Sequence, residues 1–122
     1  MLRLYAIVRS DLDMPPGKLA AQAGHAFLDA FFAAQRLRPQ YAAAYCSDSH
    51  GTKVTLSSSN LDQLLRAEAM ARSEGLPCAL ITDSGHVLPP YFDGNPIITA
   101  LGLGPALRSE VRHITKHFAL VR

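Results

Sequence analysis

The sequence predicts an α/β fold: three layers, α/β/α, built on a four-stranded mixed sheet with the element order βα(α)βαββα. Three observations predict it. Short runs of β-formers alternate with helix-period patterns, which is how a layered α/β chain reads. Gly and Pro fall between these runs. The length, 122 residues with 48% hydrophobic content, suits one compact domain over residues 1–122.

The elements follow in order. Leu2-Arg3-Leu4-Tyr5-Ala6-Ile7-Val8 is rich in β-formers and predicts a buried first strand. Residues 9–17 form a turn-rich connection whose Pro15, Pro16 and Gly17 mark the approach to a helix. That helix is expected over about 17–36, with a short second helix from Pro39 to about Cys46 and a polar loop over Ser47–Gly51. Thr52–Ser57 alternates and is β-branched, as in a half-exposed strand. Asn60, with Gln63 three residues on, predicts a capped helix that ends at Gly75 and Pro77. Pro77–Thr82 is apolar throughout, which predicts a central third strand. Asp83–His86 reads as a sharp turn and 87–96 as an irregular loop, because it holds Pro89, Pro90, Gly94 and Pro96. Ile97–Leu103 is the fourth strand; a last helix spans about 106–117, and Phe118–Arg122 returns to the core.

Composition excludes several classes. The net charge of +2 does not by itself imply nucleic-acid binding, although a local basic face is compatible with it. Two cysteines, Cys46 and Cys78, make neither a disulfide framework nor a zinc site, and Cys78 reads as a small core residue. No apolar stretch reaches the roughly 18 residues of a membrane span. The run at 2–8 is too short for a secretory signal and contains Arg3. A cytoplasmic protein without a membrane partner is expected.

The first helix carries the chemistry. At about 100° per residue, Lys18, Gln22, His25 and Asp29 fall within roughly 40° of one line along it, among Ala, Leu and Phe. A helix apolar over most of its circumference is buried over most of it, so this polar stripe faces solvent, a cleft or a partner. Open α/β sheets place sites beyond strand C-termini, and Asp83 ends the third strand as Lys18 opens the first helix. If the two meet, the ammonium can neutralise an oxyanion and the carboxylate can act as general base. Other patterns carry less. Gly102-Leu103-Gly104 lacks the third glycine and the Gly-Lys-Ser/Thr ending of a phosphate loop. His113 and His117 lie four apart, but no Glu or Cys completes a zinc site, so no metal is expected. No Gly-x-Ser-x-Gly elbow occurs.

Several motifs together resemble one family. Val8-Arg9-Ser10-Asp11-Leu12 with Met14, then Gly17-Lys18-Leu19-Ala20-Ala21-Gln22 and His25-Ala26, is similar to the opening signature of the type 2 peptidyl-tRNA hydrolases. Gly75-Leu76-Pro77, Ile81-Thr82-Asp83-Ser84-Gly85, Thr99–Pro105, Ile114-Thr115 and His117-Phe118 resemble later motifs at compatible spacing. The resemblance implies hydrolysis of the ester joining a peptide to the ribose of tRNA, with no cofactor, on a four-stranded mixed sheet often found as a homodimer. It assigns catalysis to Lys18 and Asp83, with Gln22, His25 and Thr99 lining the site. The sequence departs from the family at His86-Val87-Leu88, where a basic residue, Thr and Gln are usual, and Ala119 replaces a Lys. By this reading His86 stands in for the basic residue, and Ser84 or Thr99 for the missing hydroxyl. Arg9, Arg108, Arg112 and Lys116 would contact tRNA phosphates. Two alternatives stay open on the sequence: a non-catalytic tRNA- or protein-binding relative, and an esterase for another substrate.

Overall fold

The computed structural model describes residues 1–48 and 50–122; Ser49, inside the expected polar loop, lies outside the described residues. Strand β1 spans Leu2–Arg9, helix α1 Pro16–Leu37 and helix α2 Pro39–Ser47. Strand β2 (Lys53–Ser58), helix α3 (Leu61–Ser73) and strand β3 (Cys78–Asp83) follow. The remainder is β4 (Val87–Leu88), β5 (Phe92–Asp93), β6 (Ile97–Leu107), helix α4 (Arg108–Thr115) and β7 (Ala119–Leu120).

The α/β class holds, with one more strand in the main sheet than expected. Its order is β3-β6-β1-β2-β7. Strand β1 runs parallel to β2 and antiparallel to β6; β3 is antiparallel to β6. The C-terminal tail supplies the fifth strand, pairing Ala119 and Leu120 with Ser57 and Leu56. The expected irregular loop instead contains a small hairpin, β4 with β5. Strand β6 runs through Gly104-Pro105 to Leu107, so the last helix starts later than expected.

The third strand is not central. It is apolar because helices cover both of its faces, and it lies at an edge of the sheet. Hydrophobic character reports coverage of a strand's faces, not of its hydrogen-bonding edges.

Two apolar layers sandwich the sheet. On one side Tyr5, Ile7, Leu101 and Leu103 meet Leu64 and Ala67 of α3 and Val111 and Ile114 of α4. On the other, Ala6, Val8, Ile81 and Ala100 meet Ala23 and Ala26 of α1. The α1 layer is thin because small residues face each other. A Cβ on Gly102 would stand 2.0 Å from the Ala26 carbonyl oxygen and 2.8 Å from the Ala30 Cβ. Glycine there lets α1 lie directly on β6, which fixes how far its polar stripe stands from the strand ends. Asn60 caps α3 as expected: its side-chain oxygen accepts from the Gln63 N–H at 2.8 Å.

Candidate active site

Strands β1 and β3 both run antiparallel to β6, so their C-termini share one end of the sheet. The connection from β1 turns there and starts α1 with Pro16 in its first turn. Pro at that position has its φ preset and lacks an N–H that the helix leaves unpaired anyway. Lys18 therefore emerges at the level where β3 ends, although β6 separates β3 from β1.

The two side chains meet. Lys18 Nζ donates to Asp83 Oδ2 at 2.9 Å. It also lies 2.6 Å from His86 Nδ1 and 4.2 Å from the centre of the Phe92 ring. The Lys18 and Asp83 side chains are 12% and 19% exposed: enough cover to strengthen their attraction, enough opening for water and ligand. An ammonium has three donors and no acceptor. With Asp83 and His86 each engaging one, the third has no acceptor among the described residues and can receive an incoming oxygen. Because Nδ1 of His86 faces the ammonium, it acts as acceptor, which places the proton of a neutral ring on Nε2.

The hairpin builds this arrangement. Gly85 adopts φ +79, a left-handed conformation that glycine reaches without a side-chain clash. Its N–H donates to Gly94 O at 2.9 Å, and the Gly94 N–H returns to His86 O at 3.1 Å. The closed base folds Phe92 inward until it is buried, with its ring centre 6.0 Å from that of His86. Phe92 is the site residue that sequence reasoning missed. The available signal was two apolar pairs, Val87-Leu88 and Tyr91-Phe92, flanking Pro89-Pro90 as strands flank a turn.

The remaining expected residues divide. Gln22 and Thr99 form a buried pair in which the Thr99 hydroxyl donates to Gln22 Oε1 at 2.5 Å. Gln22 still borders a cavity of about 240 Å³ with His25, Asp29, Leu80, Ile81, Thr82 and Asp83. Thr99 does not border it: its hydroxyl is spent on Gln22 and sealed beneath α1, so it cannot supply the missing hydroxyl. Ser84 is exposed beside Asp83, and His25 is exposed on α1. Val87, at the position lacking the hydroxyl, points largely to solvent on β4.

The expected phosphate-contacting cations also divide. Arg9 is already bonded. Its Nε and NH2 donate to Asp11, the latter at 2.7 Å, and NH1 donates to Ile98 O at 2.9 Å. That bonding makes Arg9 a brace between the β1 exit and β6 rather than a free phosphate contact. Arg108, Arg112 and Lys116 are exposed and belong to or directly follow α4, on the sheet face opposite α1. His113 pairs with Glu74 at 2.7 Å. Among the described residues no group of three or more His, Cys, Asp or Glu side chains is placed to hold a metal ion.

Comparison with known proteins adds to this geometry. The family model described as "Peptidyl-tRNA hydrolase PTH2" matches residues 2–121. A peptidyl-tRNA hydrolase of Methanocaldococcus jannaschii is 34% identical over 121 residues, covering 98% of this chain and 100% of the relative. One from Methanopyrus kandleri is 34% identical over 125 residues, covering all of both chains. One from Thermococcus onnurineus is 33% identical, covering 94% of this chain and 93% of the relative.

Proposed function

The chain belongs to the peptidyl-tRNA hydrolase PTH2 family, and from that premise we propose how its own residues carry the reaction. It hydrolyses the ester of peptidyl-tRNA, releasing peptide and tRNA. The observation that carries the assignment of roles is the Lys18–Asp83 contact of 2.9 Å, with His86 on the other side of the same ammonium.

In the proposed mechanism Asp83 is the general base. Its carboxylate accepts a proton from a water that attacks the ester carbonyl. The third Lys18 donor receives the oxyanion of the tetrahedral intermediate, where a preorganised charge acts most strongly. Collapse breaks the bond to the ribose oxygen, which leaves as an alkoxide and needs a proton. His86 Nε2–H supplies it while Nδ1 takes a proton from Lys18, and protonated Asp83 returns one to Lys18. The water's proton thereby reaches the departing ribose, and its hydroxyl stays on the peptide. The imidazole then resets its tautomer through solvent. Phe92 packs on the ammonium and shields it from bulk water. Ser84 and His25 stand where they can hydrogen-bond the substrate; Gln22, held by Thr99, borders the same space.

The test is tRNA release from purified peptidyl-tRNA. Lys18→Ala and Asp83→Asn are expected to slow it by about 10²–10³-fold. Release by both variants at the wild-type rate overturns the assignment of roles.

For tRNA we propose Arg108, Arg112 and Lys116. Their spacing of four puts them on one helical stripe, and all three are exposed. Replacing all three with Ala is expected to reduce the slope of log K against log salt by about three. An unchanged slope in filter binding removes them from the interface.

The remaining proposals concern assembly and compartment. Residues 1–122 act as one catalytic unit. A homodimer would form at the apolar groove between α1 and α2, about 480 Å³, lined by Phe27, Leu28, Phe31 and Tyr45. Sedimentation of wild type against Leu28→Glu tests it. A substrate that arises in translation supports a cytoplasmic location, and two free cysteines suit a reducing compartment. No helix among the described residues is long and apolar enough to cross a membrane.

A further inference from the structure

We propose that the open edge of β3 is the binding site for the peptide arm of the substrate, which pairs with it as a parallel sixth strand. The inference rests on the ester-hydrolysis reading and adds to it where the acyl chain lies.

The edge is unusually available. Strand β3 has β6 on one side and no neighbour among the described strands on the other. Natural edge strands are commonly protected by lysines, prolines within the strand, bulges or a covering element. The run Cys78-Ala79-Leu80-Ile81-Thr82 carries no charge and no proline, and its one irregularity falls at the end, between Ile81 and Thr82. Register identifies the open groups. Gly104 N–H donates to Pro77 O at 2.9 Å, so 77 and 104 form a hydrogen-bonded pair. Alternation along an antiparallel ladder then turns the N–H and C=O of Cys78 and Leu80 outward.

The edge also leads to the reacting groups. The cavity of about 240 Å³ beside Asp83 continues along β3 into a second, about 730 Å³, and the two share Asp29 and Leu80. Together they border β3 from Asp83 back to Cys78, about 17 Å at the rise of a strand, which is room for five extended residues. Helix α1 forms one wall, with His25 and Asp29 near the site and the half-exposed Phe32 farther along.

Direction follows from chemistry. The peptide's C-terminal carbonyl must stand at Lys18 and Asp83, so its earlier residues recede toward Cys78. The peptide then runs the same way as β3. Strand addition reads mainly backbone, so it accepts peptides of unrelated sequence. A hydrolase of peptidyl-tRNA needs that tolerance, because the chain attached to tRNA has no fixed sequence.

The test varies the substrate and leaves the protein intact. Three tRNAs are compared, carrying N-acetylalanine, N-acetyl-tetraalanine, and the tetraalanine with its internal amides N-methylated. The expected result is kcat/KM about tenfold higher for tetraalanine than for the single residue, with the gain residing in KM. N-methylation should return it to the single-residue value. Equal rates for all three overturn the edge proposal while leaving ester hydrolysis standing. Hydrolysis of none overturns both. Equal rates together with a dimer that buries β3, seen by sedimentation and by protection of the Cys78 and Leu80 amides from exchange, assign the edge to a second copy of the chain and also overturn it.

Discussion

Lys18 is held by two different acceptors on one short segment, Asp83 and His86, so the roles proposed for it are shared rather than separable. Groups acting as one unit lose function together. The double variant Lys18→Ala/Asp83→Asn is therefore expected to be no more than a few-fold slower than either single one, and a fully multiplicative loss in kcat/KM would show that the two act independently. The buried Gln22–Thr99 pair makes a separate prediction. Thr99→Val keeps the shape but leaves the Gln22 amide oxygen without its donor, which costs about 1–3 kcal/mol. Urea unfolding measures this, and an unchanged midpoint would mean that Gln22 finds another partner. Lys18 and Asp83 were legible in the sequence because each sits at an element terminus fixed by local signals. Phe92 was not legible, because its contact with Lys18 depends on a hairpin closing across residues 85–94.

Helix α1 meets β6 at Gly102 with no space for a side chain. Gly102→Ala pushes a methyl against backbone, which cannot rotate away, so α1 must lift from the sheet. Destabilisation of about 1–3 kcal/mol or more is expected, with loss of activity because Lys18 rides on that helix. A fully stable, fully active Gly102→Ala would contradict this packing.

Helix α4 is tied to the α1–α2 junction by Glu110, which accepts from Arg38 NH2 at 2.7 Å. Burial pushes the Glu110 carboxyl up, but the Arg38 hydrogen bond, the Leu107 N–H and the Arg38 charge outweigh it, and the group titrates below its ordinary 4.5. A carboxyl lowered in the folded state contributes stability above its unfolded value, and that stability is lost as pH falls through the folded value. Wild type and Glu110→Gln should therefore differ in urea midpoint at neutral pH and converge well below 4.5. A constant gap across that window would rule out this carboxyl as the cause. Among the elements, the helices and long strands were legible from periodicity. The β7 pairing was not, since a two-residue strand carries no period and is made by its partner, and the β4–β5 hairpin left only the apolar pairs on either side of Pro89-Pro90 as a signal.

Over the whole molecule, coverage decides reactivity. Cys46 is exposed and Cys78 is buried. Burial pushes the Cys78 thiol up, with Arg72 opposing and Glu68 adding to the shift. Thiolate is the reactive form, so a raised thiol reacts slowly. Alkylation of the native chain at neutral pH should label Cys46 first, and Cys78 only on unfolding. Rapid labelling of both in the native state would show that the β3 region opens readily.

The sequence by itself determined the α/β class, the main helices and strands and the capped start of α3, and it singled out the two residues, Lys18 and Asp83, on which the proposed chemistry rests. These depend on short-range patterns: periodicity, turn residues and motif spacing. Only the tertiary structure decided that β3 lies at an edge, that Thr99 is sealed behind Gln22, that Arg9 is already bonded, and that Phe92 and His86 close around Lys18. Each of these is a contact between segments far apart along the chain. Such contacts are set by which surfaces pack together, and a side chain's own neighbours in sequence carry no record of them.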